Sequence, residues 1–131
     1  MLDNIINDIK STALIVDDNT KMRAAIHKIL KQQLKNKISR IIECENGKDA
    51  TELYNKHKPE WTIMDIKMPV MDGLEASRTI LKSYPEAKII ILTQYDDPGY
   101  YELAQKMGIK AFVLKENLSD LSIIIRDMLY Y

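Results

Sequence analysis

The sequence predicts an α/β protein built on a doubly wound, five-stranded parallel sheet with helices on both faces. Short apolar runs rich in β-branched residues alternate with segments of helical period. Near-continuous apolarity over four or five residues is typical of strands buried on both faces. Capping and turn residues fall between the two kinds of segment. Such alternation favours right-handed strand–helix–strand crossovers, and therefore a parallel sheet.

Three strand–helix pairs come first along the chain. Their strands are predicted at 13–16 (ALIV), 40–43 (RIIE) and 61–64 (WTIM). Asn19 or Thr20 can cap the first helix, Gly47 precedes the second and Gly73 opens the third. The first helix places its apolar residues on one face, at Met22, Ala25, Ile26, Ile29 and Leu30.

Two further pairs complete the pattern, with strands predicted at 88–92 (KIIIL) and 111–114 (AFVL). Pro98 suits the first turn of the fourth helix, and Gly108 can end it. The fourth helix has an apolar face at Tyr100, Leu103, Ala104 and Met107. The fifth helix has one at Leu121, Ile124, Ile125, Met128 and Leu129.

Residues 1–10 are predicted to be an amphipathic helical extension in front of a single domain at 11–131, because 131 residues suit one core. The apolar stripe of the extension is Leu2, Ile5, Ile6 and Ile9. Ten residues make a marginal helix alone, so this helix must pack against something. It either packs on its own domain or serves as a docking or dimer-forming helix.

Composition argues against several classes of protein. Nineteen basic and nineteen acidic residues cancel, which leaves no overall field to attract nucleic acid or an anionic membrane. The single cysteine, Cys44, forms no internal disulfide and fits a reducing compartment. No apolar run reaches membrane-spanning length, and the N-terminus lacks the features of a signal peptide. We therefore expect a cytoplasmic protein that binds neither nucleic acid nor a membrane.

The chemistry-bearing residues follow the predicted strands. Asp17 and Asp18 follow the first strand, Asp65 the third, Thr93 the fourth and Lys115 the fifth. The carboxyl ends of parallel strands line the crevice in which such sheets bind ligands. Three carboxylates there repel one another unless a cation neutralises them, and all-oxygen ligands favour Mg²⁺.

A hydroxyl and an ammonium beside these carboxylates suit a phosphoryl group. Thr93 can donate a hydrogen bond to it, and Lys115 can pair with its charge. Asp65 is then the natural nucleophile, which would form an acyl phosphate. Each of these residues alone has an ordinary explanation: a helix-capping aspartate pair, a strand-end threonine or a solvated lysine.

Four motifs in register resemble the receiver domain of two-component response regulators. They are LIVDDNTKMR, MDIKMPVMDGLEA, ILTQYDD and AFVLKE, and the resemblance covers about 11–131. It implies the flavodoxin-like, CheY-like fold with strand order 2-1-3-4-5. The later segments are most similar to the receivers of NarL/LuxR-type regulators.

The resemblance also implies a role for each matching residue. Asp65 would be the phosphoacceptor and Lys115 the phosphate-pairing lysine. Thr93 and Phe112 would be the coupled switch pair, with a fixed core residue as the alternative for Phe112. Mg²⁺ would be bound directly by Asp18, Asp65 and the backbone carbonyl of Lys67, with Asp17 acting mainly through water.

Three residues depart from common family patterns. Lys67 and Gln94 are bulky and polar beside Asp65 and Thr93, and we expect them to tune the loss of phosphate. Glu116 follows Lys115 where many relatives have proline, so we expect a trans peptide bond there.

The implied function is a phosphorylation-dependent signalling switch and not an enzyme. A sensor histidine kinase, a phosphotransfer protein or a small phosphodonor would phosphorylate Asp65, and a surface of helix four, strand five and helix five would change. That surface can also form a homodimer. The chain is either a stand-alone receiver or part of a longer transcription factor.

Three other functions fit the sequence less well. An aspartyl-phosphate hydrolase of the haloacid-dehalogenase type needs an aspartate at position 67, which is lysine here. In a flavin-binding flavodoxin-like protein, Asp17 and Asp18 would repel the flavin phosphate. A phosphorylation-independent scaffold would not need the acidic, threonine and lysine positions together.

Overall fold

The computed structural model describes residues 11–129, except for the side chain of Leu129. The predicted helix at 1–10 therefore lies outside the described residues. The elements alternate along the whole described chain, with a short 3₁₀ turn at Lys115–Asn117. They are β1 (Ser11–Val16), α1 (Thr20–Gln33), β2 (Ile38–Cys44), α2 (Gly47–His57), β3 (Trp61–Met64), α3 (Gly73–Ser83), β4 (Ile89–Thr93), α4 (Pro98–Met107), β5 (Ala111–Leu114) and α5 (Asp120–Leu129).

All five strands are parallel and lie in the order β2-β1-β3-β4-β5. Both the predicted fold class and the strand order are confirmed. The strand β2 begins two residues earlier than its apolar run, and β4 includes Thr93. Since β1 pairs with β2 on one side and β3 on the other, the chain reverses its direction of winding between them.

The core has two layers, one on each face of the sheet. On one face, Ala13 and Ile15 of β1 pack with apolar residues of α1 and α5. On the other face, Leu14 and Val16 of β1 pack with residues of α2, α3 and α4. The same alternation runs through the neighbouring central strands. Their near-continuous apolar sequence therefore reflects burial on both faces.

Side-chain caps fix the helix starts, and therefore the loops in front of them. Asn19 caps α1 by accepting a hydrogen bond from the Met22 amide. Gly47 is the first residue of α2 and not the residue before it, because Asn46 supplies the cap. Pro98 opens α4 and Gly108 ends it with a φ of 86°, both as predicted.

Two features shape the loop between β3 and α3. A Cβ on Gly73 would lie 1.7 Å from the backbone oxygen of Asp65, so only glycine permits this approach. The Gly73 amide also donates to the carbonyl of Ile66 at 2.8 Å. Val70 has a φ of 70°, an uncommon conformation for a β-branched residue. The start of α3 is thereby pressed against the strand end that carries Asp65.

Candidate functional site

Three carboxylates meet at the carboxyl edge of the sheet. Asp17 and Asp18 follow β1 and Asp65 follows β3, and one carboxylate oxygen from each lies within 4.8 Å of the others. Asp17 and Asp65 are buried, whereas Asp18 is exposed. The sequence-predicted acidic residues are therefore brought together.

Backbone amides fix one oxygen of each buried carboxylate. Asp17 Oδ1 accepts a hydrogen bond from the Asn19 amide, and Asp65 Oδ1 accepts one from the Ile66 amide, both at 2.8 Å. The other oxygen of each carboxylate faces Lys115, whose Nζ lies 2.9 Å from Asp17 Oδ2 and 3.0 Å from Asp65 Oδ2. The contact with Asp65 is a hydrogen bond, and the contact with Asp17 is an ion pair.

The electrostatics of the site leave an excess of negative charge. Burial raises the pKa of the Asp65 carboxyl, and the charge of Asp17 adds to this effect, while the hydrogen bond from Lys115 opposes it. Burial disfavours the charge on Lys115, but the carboxylates of Asp17 and Asp65 outweigh burial and raise its pKa. The cluster of three carboxylates thus has one ammonium, which pairs with two of them. This all-oxygen donor set, whose negative charge exceeds the charge of Lys115, fits a hard divalent cation.

Thr93 lies at the end of β4 and is fully buried. Its Oγ1 accepts a long hydrogen bond of 3.3 Å from the Tyr95 amide. Phe112 lies on the adjacent strand β5, paired with Ile91 two residues before Thr93. The Phe112 ring is half-buried and packs edge-on against Tyr101, with 5.7 Å between ring centroids.

The two predicted tuning residues are both exposed. Gln94 directly follows Thr93, and the ammonium of Lys67 lies 5.6 Å from the ring centroids of both Tyr95 and Tyr100. Sequence analysis did not connect Lys67 with these tyrosines, and no spacing in the sequence signals the contact. The peptide bond between Lys115 and Glu116 is trans, as expected.

Arg23 is a further residue that sequence analysis missed. Its Nη1 donates a hydrogen bond of 2.7 Å to the backbone carbonyl of Asp17, and its Nε lies 3.4 Å from Glu43 Oε1. Because the side chain comes from α1 and crosses toward β2, it braces the backbone of the acidic loop. Arg23 is within the LIVDDNTKMR motif, but nothing in that motif indicates this contact.

A groove of about 430 Å³ lies beside Phe112, between the start of α4, β5 and α5. Tyr101, Phe112 and Ile124 form its apolar part, and Asp96 and Asp120 contribute negative charge. Within 11–129, no helix is long and apolar enough to cross a membrane.

A family model described as "Response regulator receiver domain" matches residues 13–126, which is most of the chain. The chain belongs to the response regulator receiver family. It is therefore a receiver domain of two-component signalling, and the resemblance stated from its four motifs is confirmed.

Curated relatives of two lengths match this receiver domain. The chemotaxis protein CheY of Listeria monocytogenes is 38% identical over 107 residues, which cover 82% of the chain and 87% of CheY. The transcriptional regulatory protein DegU of Brevibacillus brevis is 32% identical over 115 residues, covering 88% of the chain. The match spans only 48% of DegU, so the chain corresponds to about half of that relative.

Solved structures agree with the sequence matches. A DNA-binding response regulator of the LuxR family from Staphylococcus aureus is similar, with a TM-score of 0.77 and 31% identity, and 89% of this chain and 97% of that chain are covered. The receiver domain of the histidine kinase CKI1 from Arabidopsis thaliana has a TM-score of 0.75 and 28% identity, with 92% and 91% covered. That receiver was crystallised with Mg²⁺ and BeF₃⁻.

Proposed function

We propose that this receiver domain is a switch that accepts a phosphoryl group on Asp65 in the presence of Mg²⁺. The observation that carries the proposal is the position of Asp65 Oδ2, which lies 3.0 Å from Lys115 Nζ inside the acidic cluster. The donor is a sensor histidine kinase, a phosphotransfer protein or a small phosphodonor. Phosphorylation then alters the surface formed by α4, β5 and α5.

Asp65 acts as the nucleophile. Its Oδ1 is engaged by the Ile66 amide, so Oδ2 is the oxygen that attacks phosphorus. The bond from phosphorus to the donor atom breaks, and its electron pair leaves with that atom. Lys115 pairs with the phosphoryl oxygens, and its ammonium already lies next to the attacking oxygen.

Asp18, Asp65 and the backbone carbonyl of Lys67 would hold Mg²⁺ directly, and Asp17 would hold it mainly through water. The close approach of three carboxylates, with Lys115 as their one ion-paired cation among the described residues, supports this assignment. When bound, the ion neutralises the negative charge that a phosphoryl group adds beside two further carboxylates.

Thr93 and Phe112 transmit the change. Thr93 Oγ1 accepts only a 3.3 Å hydrogen bond, and we propose that its hydroxyl turns to donate to the phosphoryl group. The half-buried Phe112 ring then moves inward into the space that Thr93 leaves. The groove between α4 and α5 changes shape because Phe112 is part of its lining.

Lys67 and Gln94 are proposed to set how long the phosphate persists. Loss of phosphate needs a water in line behind phosphorus, and the residues next to Asp65 and Thr93 border that approach. Lys67 is two residues after Asp65, and Gln94 directly follows Thr93. Each obstruction of about 1.4 kcal/mol slows hydrolysis tenfold. Slower hydrolysis would make the switch long-lived.

The output of this receiver is proposed to be protein contact, in the cytoplasm and without an enzymatic product or bound nucleic acid. The α4–β5–α5 surface would contact a partner protein or a second copy of the chain. A hydrolase function is less favoured, because position 67 offers an ammonium where a general acid–base is needed.

Intact-mass measurement after incubation with acetyl phosphate tests the phosphorylation. With Mg²⁺ we expect one added phosphate on the wild type and on Asp96→Asn, an exposed carboxylate outside the cluster. We expect none on Asp65→Asn, and none without Mg²⁺. Equal labelling of Asp65→Asn would refute the assignment of the phosphoacceptor.

An NMR shift map tests the readout surface. Comparison of the free and phosphorylated forms should show larger amide shifts over 93–115 than over 40–58. Larger shifts around α2 would contradict the proposed α4–β5–α5 surface.

A further inference from the structure

Lys67 is held by two aromatic rings that belong to another loop. Its Nζ lies 5.6 Å from the ring centroid of Tyr95 and 5.6 Å from that of Tyr100, and the two rings pack edge to face with their centroids 6.5 Å apart. Both distances lie within the range of a cation–π interaction. Lys67 forms no ion pair with any carboxylate of residues 11–129 within 4 Å. Its main partners there are therefore the ring of Tyr95 and the ring of Tyr100, whose hydroxyl also raises the pKa of Lys67 through a hydrogen bond.

These contacts join two segments that border the phosphorylation site. Lys67 belongs to the loop after β3, two residues beyond Asp65, whereas Tyr95 follows β4 and Tyr100 lies in the first turn of α4. The Tyr95 amide donates to Thr93 Oγ1, which joins the same ring pair to the hydroxyl proposed to move. A change at Asp65 can thus affect the start of α4 through two contacts, that of Lys67 with the rings and that of Thr93 with the Tyr95 amide.

We propose that the contact of Lys67 with Tyr95 and Tyr100, called here the latch, is broken by phosphorylation, and that Tyr100 positions the Lys67 ammonium before that. In the unphosphorylated protein, the rings of Tyr95 and Tyr100 hold the ammonium and tie the two loops together. A phosphoryl group on Asp65 draws Lys67 off the rings and releases the start of α4. This inference rests on the proposed function, because it requires a phosphoryl group on Asp65.

The relative strengths of the two interactions of Lys67 predict that it leaves the rings for the phosphoryl group. A cation–π contact at an exposed site shifts an equilibrium by about two- to fivefold, and Lys67 is exposed. A charge-assisted hydrogen bond to a phosphoryl oxygen is stronger than that. The phosphoryl group therefore outcompetes the rings. Because the latch stabilises only the unphosphorylated form, its removal favours the phosphorylated form by the same factor.

Binding of beryllium fluoride with Mg²⁺, as a mimic of the phosphoryl group, tests the latch through a double-mutant cycle. We expect Tyr100→Leu to bind the mimic about two- to fivefold more tightly than the wild type. In a Lys67→Met background, the same tyrosine substitution should change the affinity by less than about 1.5-fold, because no ammonium remains to be held. Tyr100→Phe keeps the ring but removes the hydroxyl that bonds Lys67; an affinity close to the wild type is expected if the ring holds the ammonium, and an affinity equal to that of Tyr100→Leu would contradict a cation–π contact.

Lys58 provides a matched control. Its Nζ lies 5.8 Å from the ring centroid of Tyr84, an equivalent contact away from the phosphorylation site. Lys58→Met should leave the affinity for the mimic unchanged. An equal effect of Tyr100→Leu with and without Lys67 would show that the ring acts through packing, which would overturn the latch.

Side-chain NMR provides a readout that general packing does not move. Ring currents should shift the Lys67 ε-methylene protons upfield in the free protein, and Mg²⁺ with beryllium fluoride should remove that shift. Protons that stay upfield in the bound protein would rule out release. If the wild type neither binds the mimic nor accepts a phosphate, the proposed function fails as well. If the wild type binds it but Tyr100→Leu does not differ, only the latch fails.

Discussion

Replacement of Asp65 by asparagine should stabilise the metal-free fold, although it removes a hydrogen-bonded ion pair. Asp65 is buried and has a carboxylate oxygen within 4.8 Å of oxygens of Asp17 and Asp18. Lys115 is the only described cation that forms an ion pair with this cluster. The raised pKa of Asp65 shows that burial and repulsion outweigh the attraction of Lys115.

The separations in the site give the size of the effect. Two unit charges 4.8 Å apart repel by about 3.5 kcal/mol at an effective dielectric constant of about 20, and by about 1 kcal/mol in water. Part of this gain is offset because the variant loses the bond from Lys115 to Asp65. Lys115 keeps Asp17, 2.9 Å away. We expect the free energy of unfolding to rise by about 1–2 kcal/mol, which raises Tm by about 3–8 °C.

Magnesium and acid should both reduce this difference between variant and wild type. Mg²⁺ bound to the native wild type at tenfold its Kd adds about 1.4 kcal/mol to stability, and the variant should gain much less. A carboxyl whose folded pKa lies above its unfolded pKa binds more protons when folded, so ionisation lowers stability as pH rises. The advantage of Asp65→Asn should therefore vanish in acid and be complete near neutral pH.

Thermal unfolding followed by circular dichroism, with chelator or with Mg²⁺, measures these changes. Asp96→Asn is the control for loss of an exposed carboxylate outside the cluster. Its Tm should lie close to that of the wild type, and Mg²⁺ should raise the Tm of both proteins equally. A lower Tm for Asp65→Asn in chelator, or an equal gain from Mg²⁺ in variant and wild type, would show that repulsion among the carboxylates does not control the stability of this site.

Three further substitutions or reagents test local features. Val70→Gly should raise the free energy of unfolding, measured in urea, by about 0.5–1 kcal/mol. The reason is that Val70 has a φ of 70° and its side chain is 78% exposed, so little packing is lost. A loss of stability would contradict backbone strain at this position. Gly73→Ala should lower the free energy of unfolding by about 3 kcal/mol, because the new Cβ would lie 1.7 Å from the backbone oxygen of Asp65. Gly99→Ala is the control, since its nearest contact would be 3.1 Å, and it should be tolerated. Equal losses of stability in the two variants would refute the steric reason. Burial raises the pKa of the Cys44 thiol to about 12. At pH 8 the folded protein should therefore react with a disulfide reagent about a thousandfold more slowly than the protein unfolded in urea. A fast reaction of the folded protein would show that the thiol is accessible.

Local sequence signals were enough to predict most of the fold. The central strands are apolar at nearly every position because both faces are covered, and the structure places them within a residue of 61–64 and 88–92. The start of β2 was missed because the exposed Ser39 separates the buried Ile38 from the predicted run at 40–43 on this edge strand. Ile38 pairs with Ser11 of β1 across a shift in register, which no local pattern reports.

The sequence by itself determined which residues end each strand, and parallel topology then required Asp17, Asp65 and Lys115 to share one edge. Only the tertiary structure decided how they meet. Lys115 bridges two carboxylates, one of them 50 residues away along the chain, and Lys67 turns toward two tyrosines of another loop. The physical reason is that a strand's apolar pattern is set by its own burial. The direction of a charged side chain at its end depends on burial, charge and rings supplied by segments distant in sequence, which no local spacing encodes.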